Sequence, residues 1–178
     1  MRCFVAVWPS PNVVAALDGL PRPVIDGLRW SGRDQWHVTL RFFGELGARE
    51  VGLVTEAMVG VARGLAGPLM AEGGPGTRLL GPGLVIWPVE GLQGVAGALG
   101  TATAEIGQPV PDRRFYGHVT IARGRRGVDL RRLRDVLVPL SAAWPVTSLS
   151  LVQSELHPDG ARYRELESFA IEEGPGRP

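Results

Sequence analysis

The sequence predicts an α+β fold of two lobes, each a small antiparallel sheet carrying helices on its outer face. Three observations lead there. One tetrapeptide occurs twice, as His37-Val38-Thr39-Leu40 and as His118-Val119-Thr120-Ile121, each time in flanks rich in β formers. Segments with helical apolar spacing alternate with these and other short apolar runs. The chain has 178 residues, 44% of them hydrophobic, which suits one compact domain or two small lobes sharing a core. Residues 1–178 therefore read as a single domain of two interleaved lobes, with the two histidine strands facing each other across a central cleft.

The elements follow in order. Arg2–Val7 is an apolar strand, and Ser10-Pro11 supplies a cap residue and a proline at the first helical position. Val13, Val14, Leu17 and Leu20 then mark a short amphipathic helix. The His37 strand runs to Gly44. A helix over Ala48–Gly64 follows, with Val51, Val54, Met58 and Val61 on one face, although Gly52, Gly60 and Gly64 weaken it. The Gly/Pro-rich stretch 66–83 predicts a long turn with a weak strand near Pro68–Ala71, and Leu84–Trp87 predicts a short strand. Leu92, Val95, Leu99, Ala102 and Ile106 mark the next helix. After the His118 strand comes a polar, Arg-rich helix over Asp129–Leu137. Val146–Ser154 and Tyr163–Ile171 are strands joined by the turn His157-Pro158-Asp159-Gly160, and Glu172–Pro178 is a tail.

Composition excludes several classes. The net charge of +1 makes no general trap for nucleic acid, so any phosphate affinity must be local. All nineteen basic residues are arginine, which rules out a lysine nucleophile and makes every cationic phosphate contact a guanidinium. The lone Cys3 sits in the first strand as a small buried hydrophobe, and no Cys/His spacing suits zinc. The apolar run Cys3–Trp8 is too short for a signal core or a membrane span. The expectation is a cytoplasmic protein without metal or cofactor.

The repeated motif carries the chemistry. Side chains alternate along a strand, so His37 shares a face with Thr39, and His118 with Thr120, while Val38, Leu40, Val119 and Ile121 turn to the other face. Two of only three histidines lie in this setting. Facing strands of this kind offer an imidazole acid–base pair flanked by hydroxyl donors, the equipment for splitting a phosphate ester. Imidazoles at their ordinary pKa would place both limbs of the pH profile between about pH 5 and 8.

On these residues the chain resembles the 2H phosphoesterase superfamily, named for its two His-x-Thr/Ser-x motifs. Within it the chain is most similar to the RNA 2′,3′-cyclic phosphodiesterases, also called 2′-5′ RNA ligases. The resemblance takes in Arg2-Cys3-Phe4-Val5-Ala6-Val7, His37-Val38-Thr39-Leu40-Arg41-Phe42-Phe43-Gly44-Glu45 and Val85-Ile86-Trp87. It continues through His118-Val119-Thr120-Ile121-Ala122-Arg123, Leu149–Leu156 and Tyr163. It implies a pseudo-twofold bilobal arrangement and metal-independent opening of RNA 2′,3′-cyclic phosphate ends to 2′-phosphomonoesters. His118 would then be the base and His37 the acid, with the roles exchanged in the reverse reaction. The partner implied is an RNA or nucleotide with a 2′,3′-cyclic phosphate end, met by a monomer and away from membranes.

The expected catalytic residues are thus His37, His118, Thr39 and Thr120. Arg123 is the substrate-binding cation that the resemblance implies, yet strict alternation turns it away from His118, so it needs a bulge or the strand end to reach the site. Arg41 alternates onto the His37–Thr39 face and is a second phosphate ligand. Tyr116 is a candidate base-stacking residue, whereas Phe42, Phe43 and Trp87 suit the core better. Arg113-Arg114 and Arg125-Arg126 flank the second motif as a candidate basic rim, and His157 reads as incidental in its turn. Reversible 2′-5′ RNA ligation, action on small cyclic-phosphate nucleotides, and RNA-end binding without catalysis are the alternatives.

Overall fold

The computed structural model describes residues 1–65, 67–125, 128, 137–158 and 160–171. Its elements are β1 (Arg2–Val7), α1 (Pro11–Asp18), β2 (Leu28–Trp30), a 3₁₀ turn (Arg33–Gln35), β3 (Val38–Glu45), α2 (Ala48–Gly64), β4 (Leu69–Gly73), β5 (Arg78–Leu80), β6 (Leu84–Glu90), α3 (Gln93–Ala102), β7 (His118–Gly124), β8 (Ala142–Val146), β9 (Ser148–His157) and β10 (Gly160–Ala170). The α+β class is as the sequence predicts. The strands β2, β5 and β8 are additions, each of three to five residues and too short to show a period. The helix expected over Asp129–Leu137 and the tail Glu172–Pro178 lie outside the described residues, apart from Leu137 itself.

The strands form an antiparallel sheet in the order β10-β9-β1-β3-β7-β6-β4-β8, with β2 added beside β7 and β5 beside β6. Its two halves join in the middle, where Val38 of β3 pairs with Val119 of β7. The C-terminal hairpin β9–β10 returns to the half that begins the chain, by pairing of β9 with β1. The halves are therefore interleaved along the sequence.

One face of the sheet is the core. Cys3, Val5, Val7, Val38, Phe43, Val85, Trp87, Val119, Ala122, Leu149 and Leu151 are all fully buried there, under Val54 and Met58 of α2 and Val95 and Leu99 of α3. Burying one such side chain is worth about 1.5–3 kcal/mol, so this face accounts for most of the fold's stability. At α1, Ser10 stands at the cap position but its side chain makes no cap hydrogen bond. Glu50 caps α2 through its carboxylate, 2.8 Å from the Gly47 amide. Among the described residues no helix is long and apolar enough to cross a membrane.

Candidate active site

The other face of the sheet carries the motifs. Continuing the Val38–Val119 register by one residue either way sets His37 across from Thr120 and Thr39 across from His118. Both valines are fully buried, so alternation turns all four polar side chains to the opposite face. Each imidazole is then held in the same way. The Nδ1 of His37 lies 2.8 Å from the Gln35 carbonyl, and that of His118 lies 2.9 Å from the Tyr116 carbonyl. A carbonyl only accepts, so Nδ1 carries the proton in both rings and Nε2 is left to work. Gly117 makes the second arrangement possible. A Cβ there would collide with the Val89 carbonyl of β6, whose own amide binds the Gly117 carbonyl at 2.8 Å.

The two surroundings differ. His37 stacks on Phe4 at 4.8 Å and meets the edges of Tyr163 at 4.8 Å and Trp8 at 5.7 Å. Trp8 is fixed in turn by its indole N–H, 2.9 Å from Ser150 Oγ and 3.2 Å from Glu165 Oε2. Burial in this cage pushes the His37 pKa down to about 4, with the charges of Arg123 and His118 adding to the fall against the Gln35 carbonyl's pull upward. His118 has Tyr116 at 6.1 Å and is less deeply buried than His37. Its pKa is also lowered, by burial first and then by Arg123 and Arg113, against the Tyr116 carbonyl's upward pull.

Two bulges decide which arginine joins them. In β3, Thr39 pairs with Ala6 and Arg41 with Val5, so Leu40 is the extra residue. In β7, Thr120 pairs with Ile86 and Ala122 with Val85, so Ile121 is the extra residue. Each bulge reverses the alternation that follows it. Arg123 thereby reaches the face of His118 and Thr120 and borders the cleft. Arg41 goes the other way, which corrects its expected place on the His37–Thr39 face. It is buried, with its guanidinium 2.7 Å from the Phe42 carbonyl and 3.2 Å from the Ile106 carbonyl; it also donates to the Gln108 carbonyl and lies over the Phe43 ring. Its work is to tie β3 to the segment leading to the second motif. Phe42 packs, half-buried, against the smaller apolar cluster of Phe4, Ala6 and Val152, so its core packing is on the opposite face of the sheet from the main core.

The cleft has a volume of about 380 Å³ and is bordered by His37, Thr120 and Arg123, with Thr39 and His118 set beside them by the strand register. Sequence reasoning missed much of its wall. Arg2, Arg29, Ser31, Gln35 and Ser154 line it, as does His157, whose turn folds over the rim. They come from separate stretches of chain and share no motif, so only the β1–β9 and β2–β7 pairings bring them together. Tyr163, noted only as part of the resemblance, also lines it. Tyr116 is exposed and borders a smaller hollow with Glu90, Gln93 and Arg114. Phe43 and Trp87 are core residues, as expected. Among the described residues no three His, Cys, Asp or Glu side chains cluster closely enough to hold a metal ion.

Known proteins share this fold. No family model matches the chain. A Thermus thermophilus protein named RNA 2′,3′-cyclic phosphodiesterase is 33% identical over 198 aligned positions, covering 99% of this chain and 93% of that one. The crystal structure of TT0787 from Thermus thermophilus superposes with a TM-score of 0.80 at 29% identity, over 98% of this chain and 100% of that one. Escherichia coli LigT complexed with 3′-AMP has the same fold, with a TM-score of 0.74 at 20% identity over 96% of this chain and 97% of its own.

Proposed function

Because the chain belongs to the RNA 2′,3′-cyclic phosphodiesterase family, as its full-length identity to the Thermus protein shows, we propose that it opens 2′,3′-cyclic phosphate ends of RNA to 2′-phosphomonoesters by acid–base catalysis between His37 and His118. The observation that carries this reading is the pair of Nδ1-to-carbonyl bonds, which leaves Nε2 of both imidazoles for the reaction. One ring takes the proton of the attacking water as the P–O bond to water forms. The other delivers a proton to the ribose 3′ oxygen as the P–O3′ bond breaks. The neutral and protonated rings exchange states over the cycle, so no net proton is left on the protein.

Charge that gathers on the non-bridging oxygens is met by the hydroxyls of Thr39 and Thr120 and by the Arg123 guanidinium. That set supplies donors and a cation without a metal ion, and metal independence is part of the proposal. His37 is neutral at pH 7 with its pKa at about 4, so to act as the acid it takes up its proton together with the anionic phosphate. The direct test is a short RNA bearing a 2′,3′-cyclic phosphate, incubated with excess chelator, with the product end identified by phosphorus NMR. A 2′-phosphate at undiminished rate is expected. A 3′-phosphate product, or activity recovered only with a divalent ion, would refute it.

A further inference from the structure

Among the described residues, those lining the cleft include three arginines and two histidines and no Asp or Glu, in a chain whose net charge is only +1. A cyclic phosphate is a monoanion, and Arg123 beside the motif suffices to face it. Two further guanidinium groups stand in the same wall, and their placement is specific. Arg29 is the direct cross-strand partner of Arg123, which brings the two side chains to the same stretch of the wall. The Arg29 guanidinium reaches across to the β9–β10 hairpin and packs on Gly160, whose φ of +123 is a conformation that L side chains rarely adopt. Arg2 enters from β1 and lies over the Phe42 ring at 4.7 Å, which limits its rotamers. Burial raises the Tyr163 pKa, with the Asp34 carboxylate adding to the rise, against the downward pull of Arg123, Arg29 and Arg2.

We propose that Arg29 and Arg2, which line the cleft together with Arg123 and Tyr163, form a second phosphate subsite that takes a phosphate on the 5′ oxygen of the nucleotide whose cyclic phosphate is opened. The inference rests on the proposed function and names the substrate it favours. At about 380 Å³ the cleft falls in the size range of sites that hold a whole small ligand, about 300–1,000 Å³, rather than a phosphate alone. The phosphate has two sources with the same chemistry: the preceding phosphodiester of an RNA strand, or the 5′-phosphate of a mononucleotide. A guanidinium pair binds either in the same bidentate fashion.

The test compares kcat/KM for three substrates: cytidine 2′,3′-cyclic phosphate, its 5′-phosphorylated form, and a dinucleotide ending in the same cyclic phosphate. The wild-type protein should favour both substrates with a 5′ phosphate severalfold over the first, the discrimination expected from two exposed guanidinium groups meeting one phosphate. Arg29→Gln and Arg2→Gln should each shrink that ratio towards one. Calorimetric affinities for the 2′-phosphate products with and without the 5′-phosphate should show the same gap in the wild-type protein, independent of any variant. A gain confined to the dinucleotide would assign the preference to the added nucleoside and overturn the subsite. So would a ratio that survives both substitutions. Failure of the wild-type protein to open any of the three would instead refute the proposed function, and the subsite with it.

Discussion

Leu40 and Ile121 occupy the same place in the two motifs: each follows the motif threonine and each is the extra residue of a β-bulge. The internal symmetry therefore extends past the repeated tetrapeptide into the backbone. It makes Arg41 the counterpart of Ala122, both buried, and Phe42 the counterpart of Arg123, both turned away from the main core. The site is thus a twofold frame with unlike walls, aromatic around His37 and cationic beside Thr120.

The bulges separate the two arginines by experiment. Arg123→Ala should raise KM for a cyclic phosphate and lower kcat while leaving the melting temperature nearly unchanged, because the residue is exposed. Arg123→Lys should restore only part, since an ammonium cannot make the planar bidentate contact. Arg41→Ala should instead lower stability by about 2–4 kcal/mol, as the buried Arg41 side chain is lost and the carbonyls of Phe42, Ile106 and Gln108 lose a charged donor. Thermal melts and steady-state kinetics on both variants decide this. The reverse pattern would mean that the pleat without bulges describes the chain better.

The histidines should behave as a unit. His37→Ala and His118→Ala should each reduce turnover by about 10²–10⁴, the usual contribution of a placed acid or base. The double variant should cost far less than the product of the two, because removing one partner already disables the relay. Turnover close to wild type in either single variant would end the acid–base assignment.

Stability can be raised where no side chain is engaged. Gly52 and Gly60 lie within α2 and are exposed, and a Cβ added at either would meet nothing within 4 Å. Gly52→Ala and Gly60→Ala should each stabilise by about 0.5–1 kcal/mol through helix propensity and a less disordered unfolded chain. Denaturant midpoints should rise with an unchanged slope and unchanged kcat.

Much of this was legible in the sequence, and for physical reasons. Helical apolar spacing locates α2 at Ala48–Gly64, and an unbroken apolar run locates the first strand at Arg2–Val7, which is buried on both faces. The two histidines stand out because a repeated motif is improbable. What stayed hidden is whatever depends on pairing. A bulge is a relation between two strands, so nothing in Thr39-Leu40-Arg41 announces that Arg41 will turn inward. Arg2, Arg29 and His157 meet only because β1, β2 and the β9–β10 hairpin are brought to one rim by long-range contacts. His157 in particular looks incidental in its Pro-Asp-Gly setting until the hairpin is folded over the cleft.

The histidine environments predict an unusual pH response. Both imidazoles fall below the ordinary value of 6.5, and His37 falls to about 4, chiefly through burial. The reactive form of the free protein has one ring protonated and one neutral, so its population peaks between two lowered pKa values. The kcat/KM profile should therefore be a bell displaced to the acid side of about 6.5. A bound phosphate anion favours the imidazolium forms, so the kcat profile should sit at higher pH than the kcat/KM profile. The same burial sets a stability window. The unfolded chain binds protons at about pH 6.5 and the folded chain only nearer pH 4, so stability is full above the first value and falls as pH drops between the two. His37→Gln should flatten that fall in the melting temperature. A kcat/KM that keeps rising to about pH 9, or a melting temperature indifferent to pH across this window in the wild-type protein, would show that His37 is not held neutral by its cage.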